Sequence, residues 1–139
     1  MSTLQCVIVT PVRELYAGAA NFVVLPASEG EMGVYAKHEP VVATLKPGSI
    51  RVTEEGSKEP TSFIVDGGYA QVEGDKVTIL ADRAMAVRDA NNTQIRVEID
   101  ELKEKLAELA DDDPSVPYIE SEIAWKKTFL RYAANMIVD

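Results

Sequence analysis

Any chemistry in this sequence would have to come from few kinds of group: one histidine, His38, one cysteine, Cys6, and 23 carboxylates in 139 residues. With a single His and a single Cys, a zinc site would be mostly carboxylate, which suits that metal poorly, so no metal is expected. Cys6 has no partner for an internal disulfide, and within Cys6-Val7-Ile8-Val9 it reads as a small buried hydrophobe of a strand. Patterned catalytic segments are missing as well: there is no G-x-G-x-x-G, G-x-x-x-x-G-K, G-x-S-x-G, H-E-x-x-H or C-x-x-C. Pairs such as Glu29/Glu31 and Glu54/Glu55 have the makings of acid–base chemistry, but chance neighbours are expected among so many acids. The sequence therefore reads as a non-catalytic protein that needs no cofactor.

Charge narrows the partners. Fourteen basic residues against 23 acidic ones give a formal net charge of −9. The basic footprint that nucleic acid or anionic lipid would require is absent. No basic segment followed by a long apolar run opens the chain, so no signal peptide is expected, and the lone cysteine suits a reducing compartment.

Glycine and proline mark the elements that must position any site. All eight glycines lie before residue 75, and five of the seven prolines fall in the first 60 residues. Frequent turn punctuation followed by a glycine-free stretch predicts an α+β chain: a β domain over 1–84, then helices over 85–139. Short β-branched runs recur at 5–10, 22–25, 33–36, 41–45, 49–53, 61–66, 69–73 and 76–80. With turns at Glu54-Glu55-Gly56-Ser57, Gly67-Gly68 and Glu73-Gly74-Asp75, they predict an N-terminal antiparallel β-sandwich.

The tail changes period. Ile95, Ile99, Leu102, Leu106 and Leu109 form one helical stripe, with Asn92 or Thr93 as the expected N-cap. The segment Asp111-Asp112-Asp113-Pro114-Ser115-Val116-Pro117 breaks that helix, and a second is expected after Pro117, running towards Val138. The result is a C-terminal two-helix antiparallel hairpin. The second helix carries two apolar stripes about 110° apart by helical geometry. One is Ile119, Ile123, Leu130 and Ile137; the other is Tyr118, Trp125, Phe129, Tyr132 and Met136. Glu122 and Lys126, an i,i+4 pair, lie between them. One stripe can cover the first helix; the other needs a second partner, either the β domain or another protein. Lys126, Lys127 and Arg131 make this helix basic on an acidic protein.

The glycine-rich loops carry a pattern of their own. Glu29-Gly30-Glu31-Met32-Gly33-Val34-Tyr35-Ala36-Lys37-His38-Glu39-Pro40 resembles the E-G-E-x-G-[VI]-x-x-x-H-x-P signature of the ε subunit of rotary ATP synthases. Four further segments match in order: Val9-Thr10-Pro11, Leu45-Lys46-Pro47-Gly48-Ser49-Ile50-Arg51-Val52, Val65-Asp66-Gly67-Gly68-Tyr69 and Val77-Thr78-Ile79-Leu80-Ala81-Asp82. Together they span essentially all of 5–82.

That resemblance implies a sandwich of about ten strands followed by a helical hairpin, in a non-catalytic central-stalk subunit. It implies binding to the γ subunit and to the ring of c subunits, with coupling of ring rotation to the catalytic α and β subunits. The c-ring-facing turn maps to Glu31 and Met32. The γ-facing edge maps near Thr10 and along His38 to Ala43. The hairpin is expected to inhibit ATP hydrolysis through Lys126, Lys127, Arg131, Trp125 and Phe129. Some family members hold ATP through an I/L-D-x-x-R-A motif; the matching position here reads Ala90-Asn91-Asn92-Thr93-Gln94-Ile95, so no nucleotide is expected. The implied location is peripheral, on the cytoplasmic face of a bacterial cell membrane. A free-standing sandwich/hairpin adaptor or holdase is the alternative.

Overall fold

The computed structural model describes residues 3–134, and its core is a β-sandwich built from seven strands. These are β1 (Leu4–Val9), β2 (Glu14–Ala27), β3 (Gly30–Val34), β4 (Val41–Glu54), β5 (Thr61–Glu73), β6 (Lys76–Ala81) and β7 (Ala84–Ala86). Three of them, β2, β4 and β5, are long enough to serve in both layers. The first layer runs from the beginning of β4 through the end of β5, β6 and β1 to the beginning of β2. The second layer is β3, the end of β2, the end of β4, the beginning of β5 and β7. Seven strands with three used twice account for the ten expected of the fold.

Two features of the strand pairing differ from the reading of the sequence. The pairing of β1 with β6 is parallel, whereas every other ladder is antiparallel. The first half of β2 was not legible, because Leu15-Tyr16-Ala17-Gly18-Ala19-Ala20 is too rich in small residues to carry a β signal. Its ladder with β1, from Leu4 opposite Ala20 to Ile8 opposite Tyr16, holds it extended.

Inward-facing side chains close the core between the layers, among them Leu4, Cys6, Ile8, Val23, Leu25, Ile50, Val52, Phe63, Val72 and Ile79. Burial pushes the Cys6 thiol up to about 12 from an ordinary 9.0. The unfolded chain releases this proton near 9.0 while the folded chain keeps it to about 12, so stability falls as pH rises through that window. A thiol reagent at pH 7 is expected to label Cys6 only on unfolding, and Cys6→Ala should flatten the alkaline limb of a stability–pH curve.

A 3-10 turn, Val87–Asp89, leads to helices α1 (Asn92–Ala107) and α2 (Val116–Ala133). The N-cap of α1 is Asn91, whose side chain accepts from the Gln94 amide at 3.0 Å, one residue before the expected cap. Helix α2 begins at Val116 rather than after Pro117, since proline is tolerated in a first helical turn. Just ahead of it the Asp113 carboxylate accepts from the Ser115 hydroxyl at 2.6 Å and its amide at 2.9 Å, which holds that carboxyl below its usual range.

The hairpin lies on the second layer. Ile64 of β5 is buried with Ile95, Ile99, Ile119, Ile123, Trp125 and Phe129, and Met85 of β7 packs beside them. Phe63, Ile64 and Val65 are therefore all buried: alternate residues face the core and Ile64 faces the helices. So the second apolar stripe of α2 finds its partner in the chain's own sandwich. Tyr118, grouped with that stripe, is instead exposed. Met136, Ile137 and Val138 lie outside the described residues. The expected Glu122–Lys126 pair is replaced by Glu122 with Arg83, and Lys126 with Glu98 of α1 at 3.6 Å.

Candidate partner surfaces

Because the hairpin covers the second layer, the outer face of the first stays open. Strand register places two rows of side chains across it: Val42–Gln71–Thr78–Val7 and Thr44–Tyr69–Leu80–Val9. None of these residues is charged. Val42, Tyr69 and Leu80 are 68%, 57% and 50% exposed, a high degree for large apolar side chains on neighbouring strands. Beyond Val42, which lies in the expected edge from His38 to Ala43, this face was not singled out from the sequence. The alternation that shows it, outward Val42 and Thr44 between inward Val41, Ala43 and Leu45, is hidden in a run without clear polar–apolar contrast.

Thr10 and His38 stand at opposite ends of that face. Thr10 follows β1 in a turn where its hydroxyl donates to the Arg13 carbonyl at 3.3 Å. His38 is half-exposed in the loop between β3 and β4, with Nδ1 2.7 Å from the Glu39 carbonyl oxygen. That loop is anchored by Lys37, at φ 65°, whose amide donates to the Asp75 carboxylate at 2.8 Å. Ala43 points inward, opposite Ala70, so its neighbours Val42 and Thr44 present the outer surface.

The β2–β3 turn forms a second surface. Gly30, at φ +133°, closes it, and an open groove of about 500 Å³ lies between 27–32 and 41–44. Glu31 points outward and pairs with Arg51 at 3.1 Å, with 61% of its side chain still exposed. Met32 has the opposite parity and packs against the core. The two neighbours therefore divide into a solvent-facing anion and a packing residue.

The basic residues of α2 do not form one free cluster. Lys126 turns towards α1, while Lys127 and Arg131 are exposed one turn apart, with the Arg131 guanidinium 5.5 Å from the centroid of the Tyr132 ring. Trp125 and Phe129 are buried edge to face, their centroids 6.2 Å apart. Among the described residues no group of His, Cys, Asp and Glu is placed to hold a metal ion, and no helix is long and apolar enough to cross a membrane.

The sandwich matches the family described as ATP synthase, delta/epsilon chain, β-sandwich domain, over residues 3–87. Similar chains reach into the helices. The ATP synthase epsilon chain of Halorhodospira halophila is 41% identical over 112 residues, covering 81% of this chain and 79% of the relative. That of Hyphomonas neptunium is 38% identical over 128 residues, covering 92% and 94%. The chain belongs to the ATP synthase epsilon chain family, whose members are subunits of a larger complex. Solved structures agree on the fold. A chain of the Euglena gracilis mitochondrial ATP synthase superposes with a TM-score of 0.64 at 21% identity, covering 98% of this chain and 80% of that one. One from the central stalk and c-ring of the Tetrahymena thermophila enzyme gives 0.55 at 12%, covering 99% and 98%.

Proposed function

We propose that this chain is a non-catalytic rotor-stalk subunit of a proton- or sodium-driven ATP synthase. It binds the γ subunit through the open face of its first layer, meets the c-ring at the Glu31 turn, and restrains ATP hydrolysis through its hairpin. The observation that supports this best is the pair of uncharged rows with Val42, Tyr69 and Leu80 on the outer face of the first layer, left bare because the hairpin occupies the opposite layer. An apolar surface on a chain of net charge −9 is suited to a permanent protein partner. Glu31, already tied to Arg51, offers a fixed anion to a basic or polar loop. Its partial exposure limits each such contact to about 1 kcal/mol or less.

Pull-down from native membranes tests this reading: the α, β and γ subunits should accompany the chain, whereas an adaptor would come down without them. Tyr69→Asp places a charge in the middle of the open face without disturbing the core, since the side chain is already exposed. It is expected to weaken binding to γ by about 30-fold or more, the usual cost of losing a central aromatic anchor, with the melting temperature of the isolated chain nearly unchanged. Undiminished γ binding by this variant would place the contact elsewhere.

A further inference from the structure

We infer that Arg83 is a polar latch that fixes the hairpin in register on the sandwich, and that breaking it is the first step in lifting the hairpin. The latch stands on geometry alone; only its use in controlling hydrolysis rests on the proposed function.

Arg83 lies in the two-residue connection between β6 and β7, and its backbone is held firmly. Its carbonyl accepts from the Asp66 amide at 3.0 Å, and the adjacent Asp82 amide donates to the Gly67 carbonyl at 3.1 Å. From this base the guanidinium reaches α2 with two nitrogens. Nη1 donates to Glu122 Oε1 at 3.0 Å and Nη2 to Ser121 Oγ at 3.3 Å. The Ser121 hydroxyl in turn donates to the Tyr118 carbonyl at 2.7 Å, which leaves an oxygen lone pair for the arginine.

Among the described residues, every side-chain hydrogen bond and ion pair from the strands to the helices is made by Arg83. The rest of the contact, built around Ile64, Met85, Trp125 and Phe129, is apolar and non-directional. Burial of that kind holds the helix down but fixes neither its rotation nor its axial position. A planar guanidinium bound at two points does both.

The latch is also open to solvent. A cleft of about 410 Å³, bounded by 10–13, 82–84, Glu122 and Trp125, runs beside it. The side chains of Arg83 and Glu122 keep 31% and 23% of their exposure. Salt therefore weakens the pair, while the apolar contacts around it are not screened.

The test uses the isolated full-length chain. Trp125 is its only tryptophan and sits at the interface, so acrylamide quenching reports hairpin release directly. Hydrogen exchange in α2 gives a second measure. Arg83→Ala and the isosteric Glu122→Gln are each expected to raise α2 exchange about fivefold, as loss of one partly exposed charged pair implies. Trp125 quenching should rise with it, and exchange in β1 and β6 should not change. The charge swap Arg83→Glu with Glu122→Arg should recover most of the protection. Raising salt to 1 M should loosen the wild type and leave Arg83→Ala unaffected. Unchanged α2 exchange in both single variants, a swap no better than either, or a uniform rise through the sandwich would each overturn the latch. None of these outcomes bears on whether γ is bound, which the pull-down decides separately.

Discussion

Truncation after Ala86 is expected to raise ATP hydrolysis by the assembled complex about two- to tenfold, the range for removing a restraint that holds from half to nine-tenths of the complexes. Assembly should survive. All seven strands end by Ala86, and the open face of the first layer shares no residue with the hairpin contact. The truncation exposes Ile64 and Met85 to water, a cost of about 1.5–3 kcal/mol per large side chain, which the core between the layers can bear.

Under the proposed function the helix would satisfy its apolar stripe in two ways. In the structure Trp125 and Phe129 are buried with Ile64. Leaving that site for water would forfeit several kcal/mol, on the order of 1.5–3 per side chain, so on this reading release is transient in the isolated chain and becomes lasting when another protein surface receives the same stripe. Lys127 and Arg131 already face solvent, and Lys126 is joined to Glu98 within the hairpin. Changing all three to Ala should reproduce part of the truncation phenotype, with Lys127 and Arg131 carrying more of it than Lys126. Equal hydrolysis by intact and truncated complexes, measured after removal of inhibitory ADP, would make the tail a structural brace.

What could be read in advance follows from how far apart the interacting residues lie. The change from strands to helices showed in the glycine distribution, and the α1 seam showed in its 3–4 spacing, because both signals are local. Ile64 carried a signal of another kind: Phe63-Ile64-Val65 does not alternate, and an uninterrupted apolar strand implies cover on both faces. The partner of that extra face, 55 to 70 residues further along, left no mark. Arg83 and Glu122 likewise look like ordinary surface charges until β6 and α2 are brought together. At the candidate surfaces, motif position pointed to Glu31, Met32 and the edge from His38 to Ala43; strand parity puts Glu31, Val42 and Thr44 outside and turns Met32 and Ala43 inward.

Gly68→Ala is expected to be the most damaging single methyl group in the sandwich, costing upwards of about 4 kcal/mol. Gly67 and Gly68, at φ +90° and +133°, turn β5 from one layer into the other. Gly68 stands opposite Leu45 on β4 and Ala81 on β6. A Cβ there would overlap the Leu80 carbonyl and come within 2.9 Å of the Ala81 Cα. Both obstacles are backbone of a paired strand, so neither can swing aside as a side chain would. The dihedral is itself closed to residues with a Cβ, which adds to the clash. Gly74→Ala is the matched control: its φ is +61°, nothing lies within 4 Å of the added carbon, and the cost should be only about 1–2 kcal/mol. Typical domains have about 5–15 kcal/mol in hand, so urea denaturation should show Gly74→Ala slightly shifted and cooperative, and Gly68→Ala unfolding at a far lower urea concentration with most of its stability lost. The consequence for assembly follows from the same corner. Tyr69 and Leu80, paired across β5 and β6, take their outward direction from the backbone that Gly68 allows. Gly68→Ala should therefore weaken γ binding and stability together, whereas Tyr69→Asp should weaken binding alone. Unfolding free energies of the two glycine variants within about 1 kcal/mol of each other would mean that the corner relaxes around a side chain and is not what holds the layers in register.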